Sequence, residues 1–170
     1  ITACRPELLV SGISEAHQLK KLFQQTNVLA LGPGLGQTKW SQQVFELCLE
    51  HRQPDILDAD ALNLLAKSPD IRQSWILTPH AGEAARLLQC KVGDIQADRI
   101  SAAREIVRIY GGICILKGRN SLIISDDESC FCPYGNAALA VAGTGDVLTG
   151  LVAGLLAQGM DPYKAAVTAV

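Results

Sequence analysis

Gly143-Thr144-Gly145-Asp146 runs directly into Val147-Leu148-Thr149-Gly150-Leu151-Val152-Ala153-Gly154-Leu155-Leu156. Two glycines permit a turn that a Cβ would obstruct, so several N–H groups can converge on one point. The apolar run that follows reads as a buried helix, whose N-terminus adds partial positive charge at that point. Asp146 then stands at the mouth of an anion hole, an arrangement suited to a nucleotide phosphate beside a general base. A simpler role for Asp146 is that of a helix N-cap, which Asp favours. These four residues alone leave both roles open.

Four further segments carry groups of the same kind. Gly32-Pro33-Gly34-Leu35-Gly36 can bring backbone close to a ligand or serve an ordinary turn, and it lacks the G-x-G-x-x-G spacing of a dinucleotide fingerprint. Asp58-Ala59-Asp60-Ala61-Leu62-Asn63 offers two carboxylates, of which Asp60 is expected as an N-cap and Asp58 as facing the site or a neighbouring loop. Thr78-Pro79-His80-Ala81-Gly82-Glu83 sets a histidine at a helix entrance with a carboxylate three residues on. It reads either as a capping arrangement, or as His80 contacting substrate while Glu83 helps hold a water or a magnesium ion. Lys117-Gly118-Arg119-Asn120-Ser121 can supply cation, amide and backbone contacts to a nucleotide, or be a plain hairpin. It is not a Walker A loop. His17 and His51 fall on polar helical faces and are expected at the surface.

All five segments lie just after a predicted strand or just before a predicted helix. Apolar runs predict strands at 28–31, 55–58, 75–78 and 113–116, and shorter ones at 121–125 and 130–132 joined by the acidic turn Asp126-Asp127-Glu128. Helical spacing of apolar residues marks 39–51, the stretch capped by Asp60, one through Ala84, Leu87 and Leu88, and another through Ile100, Ala103, Val107 and Tyr110. Strand and helix in alternation predict an α/β fold, with a largely parallel central sheet and helices on both faces. Ligands of such sheets bind beyond the carboxyl ends of the strands, and all five segments converge on that edge.

Composition narrows the classes further. The 170 residues fit a single domain with a sizeable core, being 48% hydrophobic and only 19% charged. A net charge of −2 without a basic cluster argues against nucleic-acid and membrane-surface partners. No apolar run reaches the roughly 18 residues of a membrane span. Of the six cysteines, Cys48 and Cys114 fall in core patterns. Cys130 and Cys132 share a strand face, without the further ligands a structural zinc needs. With Cys4 and Cys90, they suggest reduced thiols in a reducing cytoplasm.

Taken in order, Leu31-Gly32-Pro33-Gly34-Leu35-Gly36, Leu57-Asp58-Ala59-Asp60-Ala61-Leu62-Asn63, Leu77-Thr78-Pro79-His80, Leu116-Lys117-Gly118 and Gly143-Thr144-Gly145-Asp146-Val147-Leu148 resemble the NAD(P)H-hydrate dehydratase family in its bacterial ADP-dependent form. That family belongs to the ribokinase-like superfamily. The resemblance covers about residues 32–170 and implies one ribokinase-like dehydratase domain over 1–170, truncated at both ends. Where the family has His-Pro-Gly-Glu and Gly-Gly-Ser-Gly-Asp, this chain has His80-Ala81-Gly82-Glu83 and Ala142-Gly143-Thr144-Gly145-Asp146. The implied reaction repairs NADH or NADPH hydrated on the nicotinamide ring, with ADP phosphorylating the ring hydroxyl and Mg2+ in attendance.

By motif matching, Asp146 orients or deprotonates that hydroxyl, while Gly34, Gly36 and His80 contact the hydrated dinucleotide. Lys117, Gly118, Arg119, Asn120, Ser121, Gly143, Thr144 and Gly145 hold the adenine nucleotide, and Glu83 is the candidate for magnesium or water. A homo-oligomer is expected, and an epimerase domain in the full-length protein. Two rival functions share the motif. One is a ribokinase-like kinase using ATP on a vitamin-precursor alcohol, and the other is a non-catalytic nucleotide-binding module.

Overall fold

The computed structural model describes residue 5 and residues 7–50 and 55–170. Cys4 and His51 lie outside the described residues. Among the described residues, six strands form one sheet in the order of the sequence: β1 (Leu29–Leu31), β2 (Asp55–Leu57), β3 (Ile76–Leu77), β4 (Ile113–Leu116), β5 (Leu122–Ile124) and β6 (Ser129–Phe131). The pairings from β1 to β4 are parallel, and β4–β5 and β5–β6 are antiparallel. The largely parallel sheet is therefore as predicted, with its last two strands a meander.

Because the order of β1 to β4 never reverses, crossovers of one hand bring their helices to one face. These helices are α2 (Lys39–Leu49), α3 (Ala59–Lys67), α4 (Ala81–Leu87), α5 (Val92–Ala97) and α6 (Arg99–Tyr110), preceded by the short α1 (Lys20–Phe23). The opposite face is covered by α7 (Thr144–Ala157) and α8 (Pro162–Ala169). The period of two along each strand feeds both layers. Leu57, Leu77, Cys114 and Leu116 point into the larger core with Phe45, Leu65, Trp75 and Ile106. Ile56, Ile76, Ile113 and Ile115 point the other way, onto Val152, Leu156, Ala165 and Ala166. Burial on both faces explains why β4 is wholly apolar.

One local expectation is corrected and one alternative is removed. Asp60 is not the N-cap of α3; Asp58 occupies that position, and Asp60 sits in the first turn. Asp146 is not the N-cap of α7 either, because Gly143 holds that place in the left-handed region. α1, α5 and α8 had no counterpart in the sequence reading. His17 is exposed, as expected. No helix among the described residues is long and apolar enough to cross a membrane.

Candidate functional site

The carboxyl ends of β2, β3 and β4 and the N-terminal half of α7 meet around a single ammonium group. Lys117 follows β4 directly, and its Nζ donates to Asp58 Oδ1 at 2.6 Å. The other oxygen, Oδ2, accepts from Thr149 Oγ1 at 2.9 Å. Asp58 is 1% exposed, and burial alone would push its carboxyl up. The Lys117 ammonium and the hydrogen bonds with Lys117, Thr78 and Thr149 outweigh that, holding it below the usual carboxylate value. Asp58 thus stands at the N-cap position of α3 without capping it, its carboxylate being committed across the cleft.

Glu83 approaches the same ammonium from α4, with Oε2 at 3.9 Å from Lys117 Nζ. That oxygen also accepts from the His80 backbone N–H at 2.8 Å. In return His80 Nδ1 accepts from the N–H groups of Gly82 at 2.9 Å and Glu83 at 3.2 Å. Both halves of a capping box are present, so the capping expectation for this segment holds. With Nδ1 accepting, the neutral ring carries its proton on Nε2, which lies 3.4 Å from Glu83 Oε1. The His80 side chain is 54% exposed and so remains open to a ligand. Both Glu83 oxygens already face His80, and among the described residues no group of three His, Cys, Asp or Glu could hold a metal ion.

α7 presents its first turn to this cluster. A Cβ added at Gly145 would lie 3.3 Å from Lys117 Nζ and 3.5 Å from Asp58 Oδ2, so the backbone there passes close to the ion pair. The first α-helical bond runs from Val147 N–H to Gly143 O at 3.1 Å. Among the described residues the Gly145 and Asp146 N–H groups make no hydrogen bond, which leaves two donors at the helix mouth. Asp146 is exposed in this turn, and its carboxylate has no partner among the described residues. The Thr144 hydroxyl, by contrast, is turned back to the carbonyls of Leu139 and Val141, at 2.8 and 2.6 Å.

The glycine segment after β1 borders the site. A Cβ at Gly32 would stand 1.8 Å from the Asp58 carbonyl oxygen, so only glycine fits between β1 and the start of α3. Gly36 N–H donates to Asp60 Oδ2 at 2.8 Å, which gives Asp60 its actual task of fixing this loop. Gly34 is exposed, with open space where a Cβ would be. In the 117–121 loop, Ser121 Oγ donates to Gly118 O at 3.1 Å, closing the turn. Asn120 takes φ 54°, and Arg119 points outward with no partner among the described residues.

The structure therefore brings Lys117, Gly145, His80 and Glu83 together, and with them Asp58, which the sequence reading had facing either the site or a neighbouring loop, and Thr149, which it left out of the site. Thr149 is a lone polar residue at 4% exposure in an apolar helix, a signal that pointed to a buried partner without identifying it.

A family model described as NAD(P)H-hydrate dehydratase matches residues 1–170. The chain is similar to the bifunctional NAD(P)H-hydrate repair enzyme Nnr of Coxiella burnetii, at 41% identity over 98% of this chain and 34% of that protein. It thus spans about a third of that relative's length. It is also similar to the structure of the ADP/ATP-dependent NAD(P)H-hydrate dehydratase of Bacillus subtilis, co-crystallised with ATP and Mg2+. That match has 38% identity and TM-score 0.76, over 84% of this chain and 53% of that one. A ribokinase-like superfamily protein of Enterococcus faecalis superposes with TM-score 0.86 at 28% identity, over 99% of this chain and 60% of the other. The fold is ribokinase-like, and the chain belongs to the NAD(P)H-hydrate dehydratase family.

Proposed function

We propose that the protein dehydrates hydrated NADH or NADPH at the expense of ADP, giving the repaired cofactor, AMP and phosphate. The observation that carries this reading is the placing of the Gly145–Asp146 helix mouth beside the Lys117–Asp58 pair. Open N–H donors, a cation and an unpartnered carboxylate there share one cleft.

Hydroxide is a poor leaving group, and phosphate a good one. The ring hydroxyl attacks the β-phosphorus of ADP, and its proton passes to the Asp146 carboxylate. A new oxygen–phosphorus bond forms as the bond to AMP breaks. The N–H groups of Gly145 and Asp146 stabilise the charge on the transferred phosphoryl group, the principal lever in such transfers. The ring-nitrogen lone pair then expels phosphate, and a proton lost from the adjacent carbon to water restores the dihydropyridine.

The backbone of Lys117, Gly118, Arg119, Asn120 and Ser121 holds the nucleotide together with Gly143 and Thr144. Gly34, Gly36 and His80 face the hydrated dinucleotide. Magnesium, which usually keeps several waters and is bound largely through substrate phosphates, would be held by the nucleotide and would supply neutralisation of its phosphate charge. Because both Glu83 oxygens face His80, no step is assigned to a protein-held ion. The same reading extends to a homo-oligomer in a reducing cytoplasm, and to an epimerase unit in the complete protein.

The test is ADP-dependent recovery of dihydropyridine absorbance from hydrated NADH by the complete protein. Recovery with release of AMP is expected. Phosphorylation of a vitamin-precursor alcohol by ATP without recovery, or nucleotide binding without turnover, would replace this reading by the kinase or the non-catalytic module.

A further inference from the structure

Arg99 is absent from every motif in the sequence, yet the fold places its guanidinium under the nucleotide loop. It is the first residue of α6, whose start is fixed by Asp98 accepting from Ser101 N–H at 3.0 Å. Nη2 donates to the Leu116 carbonyl at 3.0 Å, at the last residue of β4. Immediately above, Gly118 takes φ +148°, and a Cβ there would lie 2.4 Å from Nη1 and 3.2 Å from both Cζ and Nη2. The glycine backbone is therefore seated on the guanidinium.

Between these two contacts stands Lys117, whose own N–H donates to the Pro79 carbonyl at 2.8 Å. The half-buried Arg99 pairs with no carboxylate among the described residues. Lys117, by comparison, has Asp58 at 2.6 Å and Glu83 at 3.9 Å. The cation within the cleft is thus already balanced, whereas the one beneath the loop is not.

We infer that Arg99 is a positioning residue for the anionic part of an adenine nucleotide. It fixes the Leu116–Lys117–Gly118 turn through the Leu116 carbonyl, and leaves an uncompensated positive charge behind the loop. The inference rests on the functional reading above. A guanidinium suits this place because its planar fork can bond one carbonyl while its face supports backbone, which a point-like ammonium cannot do. It also explains why position 118 is glycine, independently of any turn preference.

The experiment measures ADP and adenosine binding by calorimetry on the complete protein and on Arg99→Met, Arg99→Lys and Gly118→Ala. Arg99→Met should weaken ADP by about tenfold or more, because the turn loses its support and the phosphates lose a positive charge, and leave adenosine within about twofold. Arg99→Lys keeps a cation and one donor, so its ADP affinity should fall between parent and Arg99→Met. It also serves as the folded variant should the methionine form not fold. Gly118→Ala should weaken ADP as well, by displacing the guanidinium. If folded Arg99→Met and Arg99→Lys bind ADP as the parent does, or if ADP and adenosine weaken equally, Arg99 has no such role. A parent that binds no adenine nucleotide overturns the functional reading together with this inference. A parent that binds ADP beside variants that bind it equally overturns this inference alone.

Discussion

Lys117 and Asp58 meet at 2.6 Å although 59 positions separate them in sequence. Asp58 reaches a further 91 positions to Thr149. This one carboxylate therefore ties the ends of β2 and β4 to α7, which lies on the opposite face of the sheet. Its position in the cleft follows from parallel strands ending at a common edge. Its ionisation follows from the lysine that β4 delivers there.

Breaking this pair should cost more than losing an ordinary hydrogen bond, because the remaining charge stays within the protein. Asp58→Asn and Lys117→Met should each lower stability by about 3 kcal/mol, the low end for broken buried pairs, since Lys117 keeps 19% side-chain exposure. The double variant should lose clearly less than the sum of the two. Urea denaturation of the four proteins checks this, and additive losses would mean that the two groups do not interact.

The same pair sets an acid limit. Asp58 is held below its usual value in the folded protein. Its contribution is therefore complete above the ordinary carboxylate range, near pH 4, and is lost as pH falls through the depressed value. Thermal melting should be insensitive to this group at neutral pH and should decline below about pH 4. Asp58→Asn should be less stable at pH 7 and show a shallower decline. Parallel acid limbs in the two proteins would remove Asp58 as their cause.

The strands and the largely parallel sheet were readable because β1 to β4 are short, largely apolar runs, each followed within three residues by glycine or by a helix entrance. What resisted reading was which partner each polar side chain takes. N-cap preference is a local rule, and it selected Asp60. The structure gives the cap position to Asp58 and sends the Asp60 carboxylate to Gly36 N–H, a choice set by residues far away in sequence. Thr149 and Arg99 were hidden for the same reason, since nothing within several residues of either names its partner. α8 was different: Asp161 followed by Pro162 is a local start signal, and Asp161 does accept from Lys164 N–H at 3.0 Å. The sequence carried that information unused.

The cysteines offer a check on the core. Cys48 and Cys114 are buried and Cys90 is exposed. Burial pushes the Cys114 thiol well up, which depletes the reactive thiolate. In the folded protein Cys90 should react with a thiol reagent far faster than Cys48 or Cys114. After denaturation without reductant, all six cysteines of the sequence should titrate as thiols. Fast labelling of Cys114 before unfolding would contradict the packing. Fewer than six thiols after it would contradict the expected reducing environment.

Asp146 decides the proposed chemistry. It stands in the first turn of α7, with Gly143 at the cap, so its carboxylate is not needed to close the helix. Replacement by Asn keeps its size and removes only a charge near the helix N-terminus, which costs less than about 1 kcal/mol. Loss of a general base typically costs about 10²–10⁴-fold in rate. Asp146→Asn in the complete protein should melt near the parent, retain ADP binding, and turn over hydrated NADH at least about 100-fold more slowly. Turnover within a few-fold of the parent would make Asp146 a bystander at the helix mouth. Collapse of both stability and ADP binding would make it structural, and the proton would need another acceptor.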